Sequence, residues 1–330
     1  MAKPIISIIG LGTTGASLGL ALQQDEGNFE LVGHDKDSDA TKQANKLGAV
    51  NRTEWNLHRA CEDAEMIVLA MPLSEARETL EHIAEDLTPG RMVFTATNMM
   101  EPAVKVADGL LAEGVHFVAG HPILPSAGDD PIPRADLFED AIFCLAPGLQ
   151  TDPDAVQLAS DFVERVGAKP LYVDPHEHDG IIAGVELLPQ LISAALMRSS
   201  SDAAGWQESR KLAGRRFALA TEPGGTPRQM FEAFMADRDN LLVRLDQFQQ
   251  ELDSWRSLLN TDDPTGDEEH PLFTALEETI DARLDWESQV KFKQWSDPSD
   301  VPVPERSSGG IMRQMFFGNM FSRRATKEED

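Results

Sequence analysis

Short apolar runs alternate with segments of helical spacing over the first 174 residues of the chain. The runs are rich in Ile, Val and Leu, while segments such as 38–47 and 74–87 carry apolar residues at helical intervals. This alternation predicts an α/β fold, with a mostly parallel sheet and helices on both of its faces. The predicted strands are 5–9, 30–34, 65–70, 92–95, 115–119, 141–145 and 170–173.

The pattern changes after Asp174-Pro175, a pair typical of a helix N-cap and first turn. The helix that starts there is apolar almost all round and is predicted to be buried, with a kink at Pro189. Two more helices are predicted at 227–259 and 271–295, and no strand pattern appears among them. We therefore predict an all-helical substrate and dimerisation domain at 175–295, whose wide apolar faces indicate a homodimer interface.

Residues 296–330 have a different composition, with a linker rich in Pro, Ser and Gly. Beyond the linker, 311–321 places Met and Phe on one helical face and precedes Arg323 and Arg324. We expect this tail to dock on the chain's own dimer. Binding to a membrane surface or to a partner's groove is the less favoured alternative, because an acidic protein is repelled by anionic lipid.

Composition narrows the functional classes. The 330 residues suffice for two domains, and the formal net charge of −27 disfavours binding to nucleic acid. Cys61 and Cys144 are the only cysteines, as expected in a reducing cytosol. The first apolar run is too short for a signal peptide, and no stretch is expected to span a membrane, so a cytoplasmic location is predicted.

The run Ile5–Ile9 leads directly into a glycine-rich turn containing Gly10, Gly12 and Gly15. A predicted helix follows the turn, and the next predicted strand ends at Asp35. Strand, glycine turn, helix, strand and acid in this order are typical of a Rossmann-type dinucleotide site. We therefore assign 1–174 as a dinucleotide-binding domain.

Each part of this motif has a physical task. Gly10 permits the tight turn, Gly12 lets the backbone approach a pyrophosphate, and Gly15 allows close packing of helix on strand. The helix N-terminus, with Thr13 and Thr14, offers N–H groups to the phosphates.

The acid that ends the second strand decides the expected cofactor. Asp35 can accept hydrogen bonds from the ribose hydroxyls and would repel a 2′-phosphate, so NAD is favoured. Lys36 weakens that preference, and NADP stays possible. Met71 and Pro72 end the strand at 65–70 and are assigned to the same cofactor site.

His121 follows the strand at 115–119 and precedes a loop with Pro122, Pro125, Pro131 and Pro133. Loops at the carboxyl ends of parallel strands bind ligands in such sheets, and a neutral imidazole suits proton transfer near pH 7. A His that only caps the strand end is the structural alternative. Both interpretations stay open on the residues alone.

Taken together, several motifs resemble the prephenate/arogenate dehydrogenases of tyrosine biosynthesis over about residues 3–290. They are the glycine turn with Ala16, Ser17 and Leu18, then 63–72, Gly120-His121-Pro122, His178-Asp179, Leu188-Pro189, 211–214 and Arg238-Asp239-Asn240. The resemblance implies an NAD(P)-dependent oxidative decarboxylation by hydride transfer. It also implies that His121 takes the proton of the substrate's ring hydroxyl or hydrogen-bonds to it.

Several family positions are changed in this sequence. The Asp, Ser and Lys of the family fall on Thr95, Asn98 and Met100. Asn98 can donate to a substrate hydroxyl or to a His, but it cannot copy the proton relay of a Ser. The family's His-Leu-Pro-His region reads Leu187-Leu188-Pro189-Gln190, without either His.

The carboxylate-binding Thr-Arg pair of the family falls on Thr221-Glu222. Glu222 would repel a dicarboxylate by about 3 kcal/mol at 5 Å and an effective dielectric of about 20. Arg215 and Arg216 are candidates for a relocated carboxylate clamp, and a solvated helix face is the alternative for each. Because Glu222 could pair with an ammonium group, arogenate fits slightly better than prephenate.

Three functions are consistent with these residues. The first is a prephenate/arogenate type dehydrogenase, and the second is a dehydrogenase of the same architecture for another small hydroxy or amino acid. The third is a catalytically inactive dinucleotide-binding homologue. A metal site at His176-Glu177-His178-Asp179 is not expected, because residues two apart on a helix do not face each other.

Overall fold

The structure is a computed structural model that describes residues 3–24, 29–124, 132–262 and 270–292. The chain divides into two compact units between His178 and Asp179. The predicted linker and tail at 296–330 lie outside the described residues, as do Pro125 and Pro131.

An eight-stranded sheet forms the centre of the first unit. The strands are β1 (Ile5–Ile9), β2 (Glu30–His34), β3 (Arg52–Thr53), β4 (Met66–Leu69), β5 (Met92–Ala96), β6 (His116–Ile123), β7 (Ile142–Pro147) and β8 (Lys169–Tyr172). Their order is β3-β2-β1-β4-β5-β6-β7-β8, and among these described strands only the β6–β7 pair is antiparallel. The predicted mostly parallel sheet is confirmed.

Helices cover both faces of this sheet. They are α1 (Thr13–Gln23), α2 (Ser38–Leu47), α3 (Leu57–Cys61), α4 (Leu73–Ile83), α5 (Met100–Leu110) and α6 (Pro153–Arg165). Strand residues alternate between the two layers: Met66 and Val68 pack with α1 and α6, while Ile67 and Leu69 pack with α3, α4 and α5. Strands that are covered on both faces have continuous apolar sequences, which explains the short runs of Ile, Val and Leu at these positions.

The strand order reverses direction between β1 and β4. The chain moves outward from β1 to β3 and then returns to β4 on the other side of β1. Such a reversal opens a crevice at the carboxyl ends of the strands, where open α/β sheets bind their ligands.

His121 lies inside a strand, which differs from the prediction. We placed this His between a strand at 115–119 and the loop that contains Pro122, but β6 extends to Ile123, and His121 pairs with Cys144 of β7. The antiparallel pairing with β7 continues the hydrogen-bonded ladder past the expected end. His121 therefore lies on a rigid element rather than in a loop.

The second unit consists of helices, and every regular element described after β8 is helical. They are α7 (Pro175–Ile182), α8 (Leu188–Ser201), α9 (Trp206–Ser209), α10 (Arg215–Ala220), α11 (Pro227–Ala236), α12 (Arg238–Leu259) and α13 (Pro271–Phe292). α7 begins at Pro175, as predicted, and crosses the division between the units.

A π-helical segment, Ala183–Leu187, joins α7 to α8 in place of the predicted kink at Pro189. Pro189 lies in the first turn of α8 and has no N–H to donate to the carbonyl of Val185, so a wider turn accommodates it. Just before this segment, in α7, the carbonyl of Gly180 accepts from Nε (3.1 Å) and an η nitrogen (2.8 Å) of Arg244 on α12.

The single helix predicted at 227–259 is two helices. The break lies at Asp237, whose φ of −126° and ψ of 41° are not helical. The apolar spacing continues through the break, which is why periodicity alone did not reveal it.

The helical run Pro175–Ser201 is less buried than predicted. By length and composition it could cross a membrane, contrary to our expectation that no stretch would qualify, and only 22% of its most apolar window is buried within the chain. Ile181 and Val185 are 58% and 64% exposed. One part of this run, with Ile182, Ala183 and Leu187, is therefore buried in the chain, and the rest is apolar surface.

Candidate active site

Close packing in the glycine turn requires two of its glycines. Gly10 has a φ of +91°, and a Cβ there would come within 2.5 Å of the carbonyl oxygen of Ala70. A Cβ on Gly15 would come within 1.9 Å of the carbonyl oxygen of Gly10. The turn therefore brings α1 against β1 and β4 more closely than any larger residue permits.

Gly12 differs from both, because a Cβ there would have no atom within 4 Å. It is the exposed N-cap of α1, and Thr13 and Thr14 form the first turn of the helix. An open surface at a helix N-terminus fits a pyrophosphate, which needs both backbone N–H groups and space. The turn thus fits a dinucleotide.

A cavity of about 370 Å³ lies beside the turn, at the reversal of strand order. Its walls are the carboxyl ends of β1, β2 and β4 and one face of α4. Six of the predicted cofactor residues line it together: Gly10, Gly12, Asp35, Lys36, Met71 and Pro72. The α4 face contributes Glu75, Glu78, Thr79 and His82.

The backbone holds the carboxylate of Asp35 at this cavity. One oxygen accepts from the N–H of Leu11 at 2.7 Å, and the other accepts from the N–H of Asp37 at 2.7 Å. The first of these bonds ties the acid to the glycine turn. Asp35 is therefore fixed at the place where the motif requires a ribose acceptor.

Lys36 is paired across the cavity, which sequence reasoning did not anticipate. Its Nζ lies 2.6 Å from Oε2 of Glu75, and this hydrogen bond raises the pKa of Lys36 above its usual 10.5. With Asp35, Glu75 and Glu78 against Lys36, the cavity lining carries an excess of negative charge. That excess disfavours a 2′-phosphate.

His121 lies at the same carboxyl edge, on β6, three strands from β1. At a strand spacing of about 4.8 Å, the two strands are roughly 14 Å apart along the sheet. The imidazole is buried, and its Nδ1 lies 3.0 Å from Nε2 of the buried His178, with the two rings nearly perpendicular.

Sequence reasoning missed this pairing of His121 with His178. The His178-Asp179 dipeptide contributed to the family resemblance, but nothing in the spacing indicates a contact between residues 57 apart. His176 points elsewhere: its Nδ1 lies 3.1 Å from Oε2 of Glu101, at the start of α5. Within the described ranges, no three His, Cys, Asp or Glu side chains are grouped as metal ligands.

Asn98 lies half-buried in the turn between β5 and α5, at the same sheet edge as His121. Thr95 is buried near the end of β5, and its hydroxyl has no hydrogen-bond partner in the part of the chain that is described. Met100 is the buried first residue of α5. The two side chains predicted to fall on the family's Asp and Lys positions are therefore uncharged and buried.

The two thiols are unsuited to nucleophilic chemistry. Cys61 and Cys144 are buried and not joined in a disulfide. Burial raises the pKa of Cys61 to about 12 and that of Cys144 to about 11, so both are neutral thiols near pH 7.

The four predicted substrate residues lie in the second unit. Arg215 and Arg216 start α10 and are exposed, and Thr221 ends that helix with its hydroxyl donating to the carbonyl of Phe217 at 2.8 Å. Glu222 is exposed, and its carbonyl accepts from Oγ of Ser193 at 2.7 Å.

Gln190, at the changed His position, packs against Gly224. Together with the bond from Ser193 to Glu222, this contact joins the start of α8 to the loop between α10 and α11. The altered family positions of this unit thus form one local cluster.

Two family models match consecutive parts of the chain. The nucleotide-binding domain of prephenate dehydrogenase matches 18–172, which begins after the glycine turn, and the dimerization domain of prephenate dehydrogenase matches 174–277. The predicted family is therefore confirmed by both domains, and the second unit carries a dimerization domain.

Individual relatives agree with these matches. The prephenate dehydrogenase of Bacillus subtilis (strain 168) is 24% identical over 265 residues, which are 79% of this chain and 71% of that protein. The structure of Aquifex aeolicus prephenate dehydrogenase in complex with hydroxyphenyl propionate and NAD+ is similar with a TM-score of 0.75 and 20% identity, covering 86% of this chain and 99% of that one. The structure of Synechocystis arogenate dehydrogenase is similar with a TM-score of 0.66 and 24% identity, and it also covers 86% of this chain and 99% of that one. The chain belongs to the prephenate dehydrogenase family of NAD(P)-dependent oxidoreductases.

Proposed function

We propose that the chain catalyses the NAD-dependent oxidative decarboxylation of a cyclohexadienol acid of the prephenate/arogenate type. The observation that carries this proposal is the arrangement at one sheet edge. A glycine turn with a backbone-held Asp35 lines a cavity, and a buried His121 lies on the same edge three strands away.

The dinucleotide would be held by residues whose placement fits it. The N-terminus of α1 at Gly12, Thr13 and Thr14 takes the pyrophosphate, and Asp35 accepts from the ribose hydroxyls. When bound, the nicotinamide accepts a hydride from the substrate carbon that bears the hydroxyl. NAD is preferred over NADP because the Lys36 ammonium is already paired with Glu75, and because the acidic cavity repels a 2′-phosphate.

His121 acts on the substrate hydroxyl. As a neutral imidazole it accepts the hydroxyl proton while the ring carbon is oxidised, and carbon dioxide is then lost as the ring becomes aromatic. Asn98 donates a side-chain N–H to the substrate hydroxyl. It replaces a Ser of the family and supplies a hydrogen bond without a proton relay.

The acidic end of the substrate is assigned to the second unit. Arg215 and Arg216, both exposed at the N-terminus of α10, bind its carboxylate, and Thr221 and Glu222 complete the site. A carboxylate at Glu222 repels a dicarboxylate and attracts an ammonium group, so arogenate is preferred over prephenate.

The chain works as a homodimer in the cytoplasm. The matching dimerization domain and the exposed apolar faces of the helical unit support the dimer. Biosynthetic chemistry with a nicotinamide cofactor and two buried free thiols agree with a reducing compartment.

A direct assay tests the proposal. Purified protein is mixed with NAD or NADP and with prephenate or arogenate, and reduced nicotinamide is followed by absorbance. We expect turnover with arogenate and NAD that is lost by at least 100-fold in His121→Ala, while the Kd for NAD changes little.

The same assay separates the two alternatives. Turnover only with another small hydroxy or amino acid, which the uncharged Thr95 and Met100 would favour, would replace the proposed substrate. NAD binding without turnover on any of these acids would identify an inactive homologue. Failure to bind either dinucleotide would reject all three functions.

A further inference from the structure

The contact between His121 and His178 constrains where His121 carries its proton. Nδ1 of His121 and Nε2 of His178 are 3.0 Å apart, and both side chains are about 95% buried. A hydrogen bond at this distance needs a proton on one of the two nitrogens and a lone pair on the other. Two neutral imidazoles meet that condition in two ways.

Only one of the two arrangements suits a proton acceptor. If His178 donates, the neutral His121 ring has its remaining proton on Nε2, and that atom cannot take another. If His121 donates from Nδ1, its Nε2 keeps a lone pair for the substrate proton. The tautomer of His121 therefore depends on what His178 presents to it.

The first turn of α7, which carries His178, is held by hydrogen bonds of its own. Asp174 holds the first turn of α7, because Oδ1 accepts from the N–H of His176 at 2.9 Å and of Glu177 at 3.0 Å. On the other side, His121 is held in the β6–β7 ladder.

We propose that His178 is a positioning residue for the catalytic His121. Its Nε2 accepts the Nδ1–H of His121, which orients the ring and keeps Nε2 of His121 as the proton acceptor. A Ser relay is absent here, since Asn98 occupies that family position, so the second imidazole supplies the orientation. This inference rests on the proposed role of His121.

Two substitutions and a matched control test it. His178→Leu removes the acceptor at similar volume, and His178→Gln keeps an acceptor, because its carboxamide oxygen has nearly the reach of Nε2. His176→Leu is the control: it changes a His two residues away on the same helix that contacts Glu101 instead of His121.

The first readout does not depend on turnover. ¹⁵N chemical shifts of the His121 imidazole report which nitrogen is protonated. We expect a protonated Nδ1 in the wild-type protein, in His176→Leu and in His178→Gln, and a mixture of tautomers in His178→Leu. An unprotonated Nδ1 in the wild-type protein would overturn the proposal.

The second readout is kinetic. We expect kcat to fall roughly 10- to 100-fold in His178→Leu, within the range that general base catalysis contributes, with the Kd for NAD unchanged. His178→Gln should recover most of this loss. A wild-type kcat in His178→Leu, or a folded His178→Gln as slow as His178→Leu, would contradict a positioning role.

The two readouts keep this proposal distinct from the function itself. If the wild-type protein turned over neither prephenate nor arogenate, the proposed function would fail, whereas the tautomer shifts would still decide whether His178 orients His121.

Discussion

Two glycines three positions apart in one turn have different physical reasons for being glycine. The space around Gly12 is open, whereas Gly15 faces the carbonyl oxygen of Gly10. Only a bound pyrophosphate would meet a side chain at position 12, but the folded chain itself would meet one at position 15. Binding and stability should therefore respond separately to the two substitutions.

We predict that Gly12→Ala weakens NAD binding at least tenfold, or about 1.4 kcal/mol, and lowers the free energy of unfolding by no more than about 1 kcal/mol, because Ala is a poorer N-cap than Gly. Gly15→Ala should lower the free energy of unfolding by about 3 kcal/mol or more, because backbone must move. Calorimetric titration and urea denaturation measure the two quantities. Wild-type affinity in Gly12→Ala would show that no ligand group approaches this position.

At the residue scale, local motifs were predictable and side-chain partners were not. The cofactor residues lie within a strand–turn–helix unit whose order determines their placement, so Gly10, Gly12 and Asp35 could be brought to one cavity from the sequence. The partner of Lys36 is 39 residues away on α4, and that of His121 is 57 residues away. No period in the sequence encodes such distances.

The contact between the end of β2 and the face of α4 bears on cofactor choice. Lys36 could bind a 2′-phosphate, but Glu75 holds its ammonium at 2.6 Å. We predict that Glu75→Gln releases Lys36 and increases NADP affinity about tenfold, with little change for NAD. The ratio of the two Kd values, measured by quenching of protein fluorescence, tests this.

Glu78→Gln is the matched control for that prediction. It removes the same charge from the same face of α4 and leaves the pair of Lys36 and Glu75 intact. We expect a change in the Kd ratio of about twofold or less. Equal effects of the two variants would mean that the general charge of the cavity, not release of Lys36, controls the preference.

The contact between α5 and α7 should depend on pH. Lys105 and then His176 lower the pKa of Glu101 below 4.5, and Glu101 raises the pKa of His176 above 6.5. The stabilisation from Glu101 is lost as pH falls through its lowered pKa, and that from His176 is lost as pH rises through its raised pKa. The contact is therefore strongest between about 4.5 and 6.5.

We predict that Glu101→Gln lowers the titration midpoint of His176 towards 6.5, the ordinary value for this side chain. An NMR titration of the His176 ring protons measures the midpoint in both proteins. Glu101→Asp keeps the charge but shortens the side chain, so it should give a smaller decrease. An unchanged midpoint in Glu101→Gln would mean that the pair does not form in solution.

At the element scale, the sequence predicted the type of each secondary-structure element better than its first and last residues. All seven strands predicted from apolar runs occur, because covered parallel strands have an unambiguous pattern. The break at Asp237 and the π segment Ala183–Leu187 were not predictable, because both keep the apolar spacing. The break comes from the non-helical backbone conformation of Asp237, and the π segment comes from the missing N–H of Pro189.

For the molecule as a whole, surface charge and apolar surface have opposite effects on association. Each chain carries a formal net charge of −27, so two copies repel each other. The helical unit exposes apolar residues, including Ile181 and Val185, whose burial in a dimer is favourable at about 25 cal/mol per Å². Added salt screens the repulsion and leaves the apolar contribution.

We therefore predict that the chain is a dimer whose dissociation constant decreases as NaCl is raised from 0.05 to about 0.5 M. Val185→Glu should make it monomeric, because the new carboxylate would be buried in the interface, and the Kd for NAD should be unchanged. Leu149→Glu, which alters a 90% exposed Leu in the nucleotide-binding unit, is the control and should remain dimeric. Sedimentation velocity over a range of protein concentrations measures the dimer dissociation constant of the wild-type protein and of each variant. If Val185→Glu dimerised as tightly as the wild-type protein, the face of the π segment would be excluded from the interface. A dissociation constant that increases with salt would mean that ion pairs, not apolar contacts, hold the subunits together.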